Sequence, residues 1–215
     1  MLSSHRFAIR LSILGLLIAL PALASAPDPS QCTVPDLLTL VGRNGGGTVD
    51  PAAPFTVVVR RPSGLLMEGA SVVLDFSACT DLRICVDQGN PNVIVDCQYH
   101  TVRGLTDHFG QVTLRVAGSA ANNGASPGPT GPALVVYADG VFLKTVRVAA
   151  FDENGASGVD GDDQSAWLAD FLSGQSYARS DFDGDGILSG NDLSLWVAAF
   201  FSGASAVGCG GATCP

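Results

Sequence analysis

Asp181-Phe-Asp-Gly-Asp-Gly-Ile-Leu-Ser-Gly-Asn-Asp192 is the stretch whose reading decides the C-terminal part of this chain. Asp181, Asp183, Asp185, Ser189 and Asp192 stand at positions 1, 3, 5, 9 and 12 of a twelve-residue loop, with Gly186 at position 6. Calcium is a hard cation that takes six to eight oxygens at about 2.3–2.6 Å, and this spacing wraps oxygens around it. Position 7 contributes a backbone carbonyl, so Ile187 serves there without a polar side chain. The spacing therefore assigns Asp181, Asp183, Asp185, Ile187, Ser189 and Asp192 as a Ca²⁺ ligand set. A helix pattern follows at once in Leu193, Leu195, Trp196, Ala199 and Phe200, and none precedes the loop.

The loop has a second copy. Moving back 29 positions superposes Asp163 on Asp192, Trp167 on Trp196 and Phe171 on Phe200. The earlier loop is Asp152-Glu-Asn-Gly-Ala-Ser-Gly-Val-Asp-Gly-Asp-Asp163. Asp152, Asn154, Gly158, Asp160 and Asp163 are its candidate ligands, Gly158 through its carbonyl. Ala156 and Ser157 stand where a ligand and the turning glycine belong, so this first site is degenerate and expected to hold calcium weakly or not at all.

A calcium loop closed by Asp, with a helix only on its far side and a near-duplicate upstream, resembles the type I dockerin repeat of bacterial secreted proteins. That resemblance implies a small α-helical calcium module over 151–203, with repeats 152–174 and 181–203, that docks onto a protein partner. In dockerins the partner is a cohesin, often recognised through hydroxyl residues just before the last ligand. Here those positions are Gly161-Asp162 and Gly190-Asn191, which departs from the pattern and leaves another surface protein open as partner.

Between residues 36 and 150 the chain reads as short strands separated by turns, seven or so in number. Phe55, Val57 and Val59 alternate with polar neighbours, as do Val112, Leu114 and Val116. Asp139-Gly140 between two apolar runs is the strongest hairpin signal. The expectation is a mainly β fold, an antiparallel β-sandwich, with the helical module at its C-terminal side. The segment resembles the Ig-like modules of the bacterial invasin/intimin group. Phe55 to Arg61, Glu68-Gly69-Ala70, Ser71 to Phe76, Thr106-Asp107 and Gly110 carry that resemblance, and it implies a spacer or adhesive role. Only Phe151 separates the last strand from the first loop. The two parts are therefore expected to pack, with Phe151, Trp167 and Trp196 near the contact or between the helices.

Residues 1–26 read as a secretory signal peptide: His5, Arg6 and Arg10, an apolar run from Leu11 to Leu20, and Ala24-Ser25-Ala26 as a cleavage site. Residues 27–35 form an N-terminal segment, and 204–215 a cysteine-containing tail. No later stretch is long and apolar enough to span a membrane. Six cysteines in an exported chain imply disulfides. Six cysteines allow fifteen connectivities, and spacing does not choose among them. At least one bridge is expected around the loop that holds Cys79, Cys85 and Cys97, and Cys209 with Cys214 could close a small ring. Paired CxxC spacing for zinc is absent.

The formal charge is −9, and half of the 20 acidic residues fall in 151–203 against one basic residue, Arg179. That asymmetry argues against nucleic acid and fits cation binding. No catalytic set and no cofactor motif other than the calcium loops emerges. Gly124-Ala-Ser126-Pro-Gly128 matches a hydrolase elbow but sits in a Gly/Ser/Pro run with no strand or helix to hold it. The sequence supports a secreted, non-catalytic calcium-binding protein used for docking or surface attachment. An accessory glycan-binding component of extracellular polysaccharide breakdown is the alternative, and a small secreted hydrolase a third.

Overall fold

Asp139 and Gly140 take φ of 45° and 79°, as a two-residue hairpin loop requires, and join β9 (Leu134–Ala138) to β10 (Val141–Ala150). This hairpin is the spine of the computed structural model, which describes residues 26–43, 52–120, 134–156, 158–174, 177–202, 208–209 and 211–214. The signal-peptide run before Ala26 and the Ser126 motif lie outside those residues.

Around the hairpin stand β1 (Leu37–Leu40), β3 (Ser71–Asp75), β6 (Thr101–Leu105) and β5 (Ile94–Asp96). They form a six-stranded sheet in the order β1-β10-β9-β3-β6-β5. A two-stranded sheet pairs β2 (Phe55–Val58) with β7 (Gln111–Leu114). A three-stranded sheet sets β4 (Leu82–Cys85) between β8 (Gly118–Ala120) and β11 (Thr213–Cys214). With two 13-residue helices, α1 (Gly161–Ser173) and α2 (Gly190–Ser202), the fold is mainly β.

The alternation seen in sequence points inward as expected. Val57, Val72, Leu74, Leu114, Val136 and Val146 belong to one buried cluster that joins residues of all three sheets. Two expectations fail. The sheets are not wholly antiparallel: Leu37–Leu40 runs parallel to Arg147–Ala150. Parallel neighbours need a long connection, and almost the whole β-rich body lies between these two strands. Four strands were also missed: β4 inside the polar, cysteine-flanked loop, β5, β8 at the start of the Gly/Ser/Pro run, and β11 in the tail. Gly-Ser-Ala has little strand propensity and Thr-Cys is too short to signal a strand; both are recruited by pairing with β4.

The disulfides differ as well. Cys85 bonds to Cys209 and Cys97 to Cys214, while Cys32 and Cys79 stay outside both bridges. Cys209 and Cys214 therefore close no ring, and the Cys79–Cys97 loop has no bridge of its own. Instead the tail is bound back onto the β-rich body, where Thr213 and Cys214 pair with Cys85 and Ile84. Two such bonds fit an oxidising environment. Among the described residues no helix is long and apolar enough to cross a membrane.

Peptide mapping without reduction should recover Cys85–Cys209 and Cys97–Cys214 linkages. Cys79 is buried, and burial pushes its thiol up to about 12. Alkylation of Cys79 at pH 8 should be more than about a hundredfold slower in the native protein than after denaturation. A Cys209–Cys214 peptide, or fast native labelling of Cys79, would refute this pairing.

Candidate metal centre

The two loops fold alike because buried carboxylates gather backbone N–H groups in the same way. Asp192 accepts from Phe182 N and Asp183 N through Oδ1 and from Ser189 N through Oδ2, at 2.8, 3.1 and 2.8 Å. Asp163, its twin, accepts from Asn154 N at 2.9 Å and Asp160 N at 2.8 Å. Position 1 behaves alike: Asp181 accepts from Gly184 N at 2.9 Å and Asp152 from Gly155 N at 2.7 Å. Both glycines lie at positive φ, 78° and 72°, where a side chain would strain the turn. Ser189 and Asp160, at position 9, cap the helices by accepting from Asn191 N and Asp162 N. Each tryptophan then reaches across the pair. Trp167 Nε1 donates to the Ser180 carbonyl and Trp196 Nε1 to the Phe151 carbonyl, both at 3.2 Å.

The duplication read in the sequence is thus also a repeat of local structure, and its two halves differ in what they can hold. In the second loop, one carboxylate oxygen each from Asp181, Asp183 and Asp185 lies within 4.8 Å of the others. Asp181 is buried, whereas Asp183 and Asp185 are open to solvent. Ile187 is exposed, and its N–H donates to Asp185 Oδ1 at 2.8 Å. Hard oxygens converging on one point suit a divalent cation such as calcium. Asp192 is not in that group, and Ser189 and Asp192 are engaged as helix cap and backbone acceptor.

Among the described residues, the first loop forms no such group of three. Asp160 acts as helix cap, Asn154 Oδ1 accepts from Ala156 N at 2.6 Å, and Gly158 is buried at φ 82°. This loop is also covered. Ala120 N donates to the Asp152 carbonyl at 2.9 Å. A Cβ on Gly155 would come 2.2 Å from the Ala120 carbonyl oxygen, and one on Gly208 would come 3.2 Å from Gly158 N. The disulfide-held tail and β8 therefore enclose it. Burial pushes Asp163 up to about 7 and raises Asp152, and burial also raises Asp181.

Two features escaped the sequence reading. Phe182, at position 2, fills a second apolar cluster with Val41, Ala149, Phe151, Val159, Trp167, Trp196 and Ala199. Val41 and Ala149 belong to the β-rich body, so the two parts do share a core through Phe151 and the tryptophans. Leu168, Phe171, Leu172, Phe200 and Phe201, large apolar residues of the two helices, are exposed. Trp167 and Trp196 are the helices' large aromatics in that cluster, with the exposed Phe171 and Phe200 stacked on them at 5.2 and 5.3 Å.

The second feature is a buried ionic group. Arg179 forks onto Asp170 at 2.8 and 2.9 Å, and its Nε lies 3.8 Å from Glu153 Oε2. Ser180 Oγ stands 2.7 Å from Asp170 Oδ2 and 3.0 Å from Glu153 Oε2. Burial, then the Asp170 charge, holds Glu153 well above the usual carboxylate range. Under the 29-residue shift Glu153, Asp170, Arg179 and Ser180 correspond to Phe182, Ala199, Ala150 and Phe151, which are all buried and apolar. One half of the module carries ions where the other carries hydrocarbon.

Set against family models, curated proteins and solved structures, the chain matches none.

Arg179→Met should lower stability by about 3–5 kcal/mol, because it leaves buried carboxylates without their cation. The triple change Glu153→Phe, Asp170→Ala, Arg179→Ala copies the apolar half and should recover most of that loss. Urea unfolding of the two variants checks both. Equal destabilisation would show that the ionic group is not interchangeable with its apolar twin.

Proposed function

We propose that this chain is an exported, non-catalytic calcium-binding protein in which an Ig-like β-domain carries a dockerin-like module for docking to a protein partner. The observation behind the reading is the convergence of Asp181, Asp183 and Asp185 in a loop whose twin forms no such group among the described residues and is covered by β8 and the tail. Three carboxylates so close repel one another, and a divalent ion relieves that repulsion while adding ligand bonds. Ion binding of this kind couples to the stability of a small domain. The second loop is the ion site, and the first is a structural copy that folds without one.

The docking part of the reading rests on what the helices leave exposed. Phe171 and Leu172 on α1, and Phe200 and Phe201 on α2, occupy equivalent positions, and Leu172 and Phe201 are 74% and 78% exposed. Large apolar side chains held outward in pairs favour a protein surface as partner. The module is fastened at both ends, by β10 and by the disulfide-held tail, so this face keeps a fixed direction relative to the β-domain.

Calcium titration of the mature chain by calorimetry should show one site with a dissociation constant of about 10⁻⁶–10⁻³ M, and a raised melting temperature. Asp183→Ala and Asp185→Ala, both at exposed positions, should each weaken binding at least about tenfold without lowering the calcium-free melting temperature. Absence of binding at millimolar calcium would remove the reading. Two equal sites would show that the first loop is not closed.

A further inference from the structure

We propose that Arg147 is the built-in counter-ion of the second loop and sets its calcium affinity by competing for Asp181. This rests on the reading of that loop as the calcium site. Arg147 belongs to β10, outside the repeats, and its side chain is 29% exposed. Its Nη1 donates to Asp181 Oδ2 at 2.5 Å, and its Nη2 donates to the Gly184 carbonyl. The contact is built into the fold. Arg147 pairs with Leu37 across β10 and β1, and a Cβ on Gly184 would meet Leu37 at 3.2 Å and Arg147 Nη2 at 3.3 Å. The loop thus lies flat against the strand that carries the guanidinium. The neighbouring cation on that strand, Lys144, is engaged elsewhere, 2.6 Å from Asp36 and 3.1 Å from the Val34 carbonyl.

Counting lone pairs shows the conflict. A carboxylate oxygen accepts about two hydrogen bonds. Asp181 Oδ2 already accepts from Gly186 N at 2.9 Å and from Arg147, and Oδ1 accepts from Gly184 N at 2.9 Å. An entering ion takes the one remaining position on Oδ1 or displaces the guanidinium from Oδ2. In either case a full positive charge stands beside the site, and it opposes a divalent ion while stabilising the ion-free loop. In the first loop the position-1 carboxylate has no such partner: Asp152 forms no ion pair among the described residues.

The test is calorimetric calcium titration of the wild-type chain, Arg147→Met and Arg147→Lys, with calcium-free melting curves of each. Arg147→Met keeps most of the side-chain volume and removes the charge. It should bind calcium about tenfold more tightly, the scale expected for deleting one charge next to a divalent ion, and melt at a lower temperature without calcium. Arg147→Lys keeps the charge and should stay within about threefold of wild type. Unchanged or weaker binding in Arg147→Met, with a wild type that binds, would overturn it and leave the calcium site standing. No binding by any of the three would overturn both.

Discussion

The buried carboxylates at positions 1 and 12 of the two loops, Asp152, Asp163, Asp181 and Asp192, are the constraint on which the rest of the module depends. A buried carboxylate is tolerable only when its lone pairs are occupied. Here the chain's own N–H groups occupy them, and in doing so they fix the loops. The position-12 carboxylate draws in the N–H groups of positions 3 and 9 and thereby closes the loop end to end. The same closure places position 9 as helix cap, so α1 and α2 begin where the loops stop. The helices then carry Trp167 and Trp196 to the carbonyls that precede the opposite loops. Loop closure, helix start and cross-bonding form one sequence of consequences, and it appears twice because the carboxylates do.

The module is not suspended from the β-rich body. Val41 and Ala149 enter its apolar cluster, Phe151 N donates to the Leu40 carbonyl, and Ala150 N donates to the Arg179 carbonyl. The tail returns through β11 and two disulfides, and Arg43 holds it further by donating to the Cys209 carbonyl at 3.4 Å. This anchoring separates the fates of the two loops. The first lies under β8 and the tail and has become a structural clasp. The second leaves Asp183 and Asp185 in solvent, where an ion can arrive. Sequence degeneration at Ala156 and enclosure of the first loop therefore agree, since a loop that is covered has no use for a further ligand.

What could be read in the sequence is what depends on local spacing. The Asp181–Asp192 offsets, the 29-residue shift, the Asp139-Gly140 turn and the alternating strands each carry their information within a dozen residues or across one duplication. The missed features are those decided by distant partners. β8 is a strand because β4 lies beside it, and β11 because Cys214 is tied to Cys97. Cys209 and Cys214 look like a ring when only their separation is known, but the tail's path fixes the pairing. Leu172 and Phe201 look like core residues when counted as hydrophobes. Only the fold shows that they stand exposed. Arg147 could not have been assigned to the second loop, because its role depends on β10 passing beneath Gly184. Glu153 and Arg179 were legible in principle: aligned on the repeat, they stand opposite Phe182 and Ala150, a change of polarity that marks a buried ionic group.

That change of polarity determines which halves can pair. The ionic group takes Glu153 and Asp170 from the first repeat and Arg179 and Ser180 from the entry to the second. The apolar group takes Phe182 and Ala199 from the second repeat and Ala150 and Phe151 from the entry to the first, with the Phe151 and Phe182 rings 4.9 Å apart. Two first repeats brought together from different molecules would set Glu153 and Asp170 against Ala150 and Phe151, with no cation in reach. Two second repeats would set Arg179 against Phe182 and Ala199, with no anion in reach. Each mismatch buries an unpaired charge, at about 3–5 kcal/mol by comparison with broken buried ion pairs. Pairing the two unlike repeats leaves neither. The ionic and apolar groups are thus each complete only in the pairing of unlike repeats, which is the arrangement in which Asp183 and Asp185 face solvent and Arg147 meets Asp181.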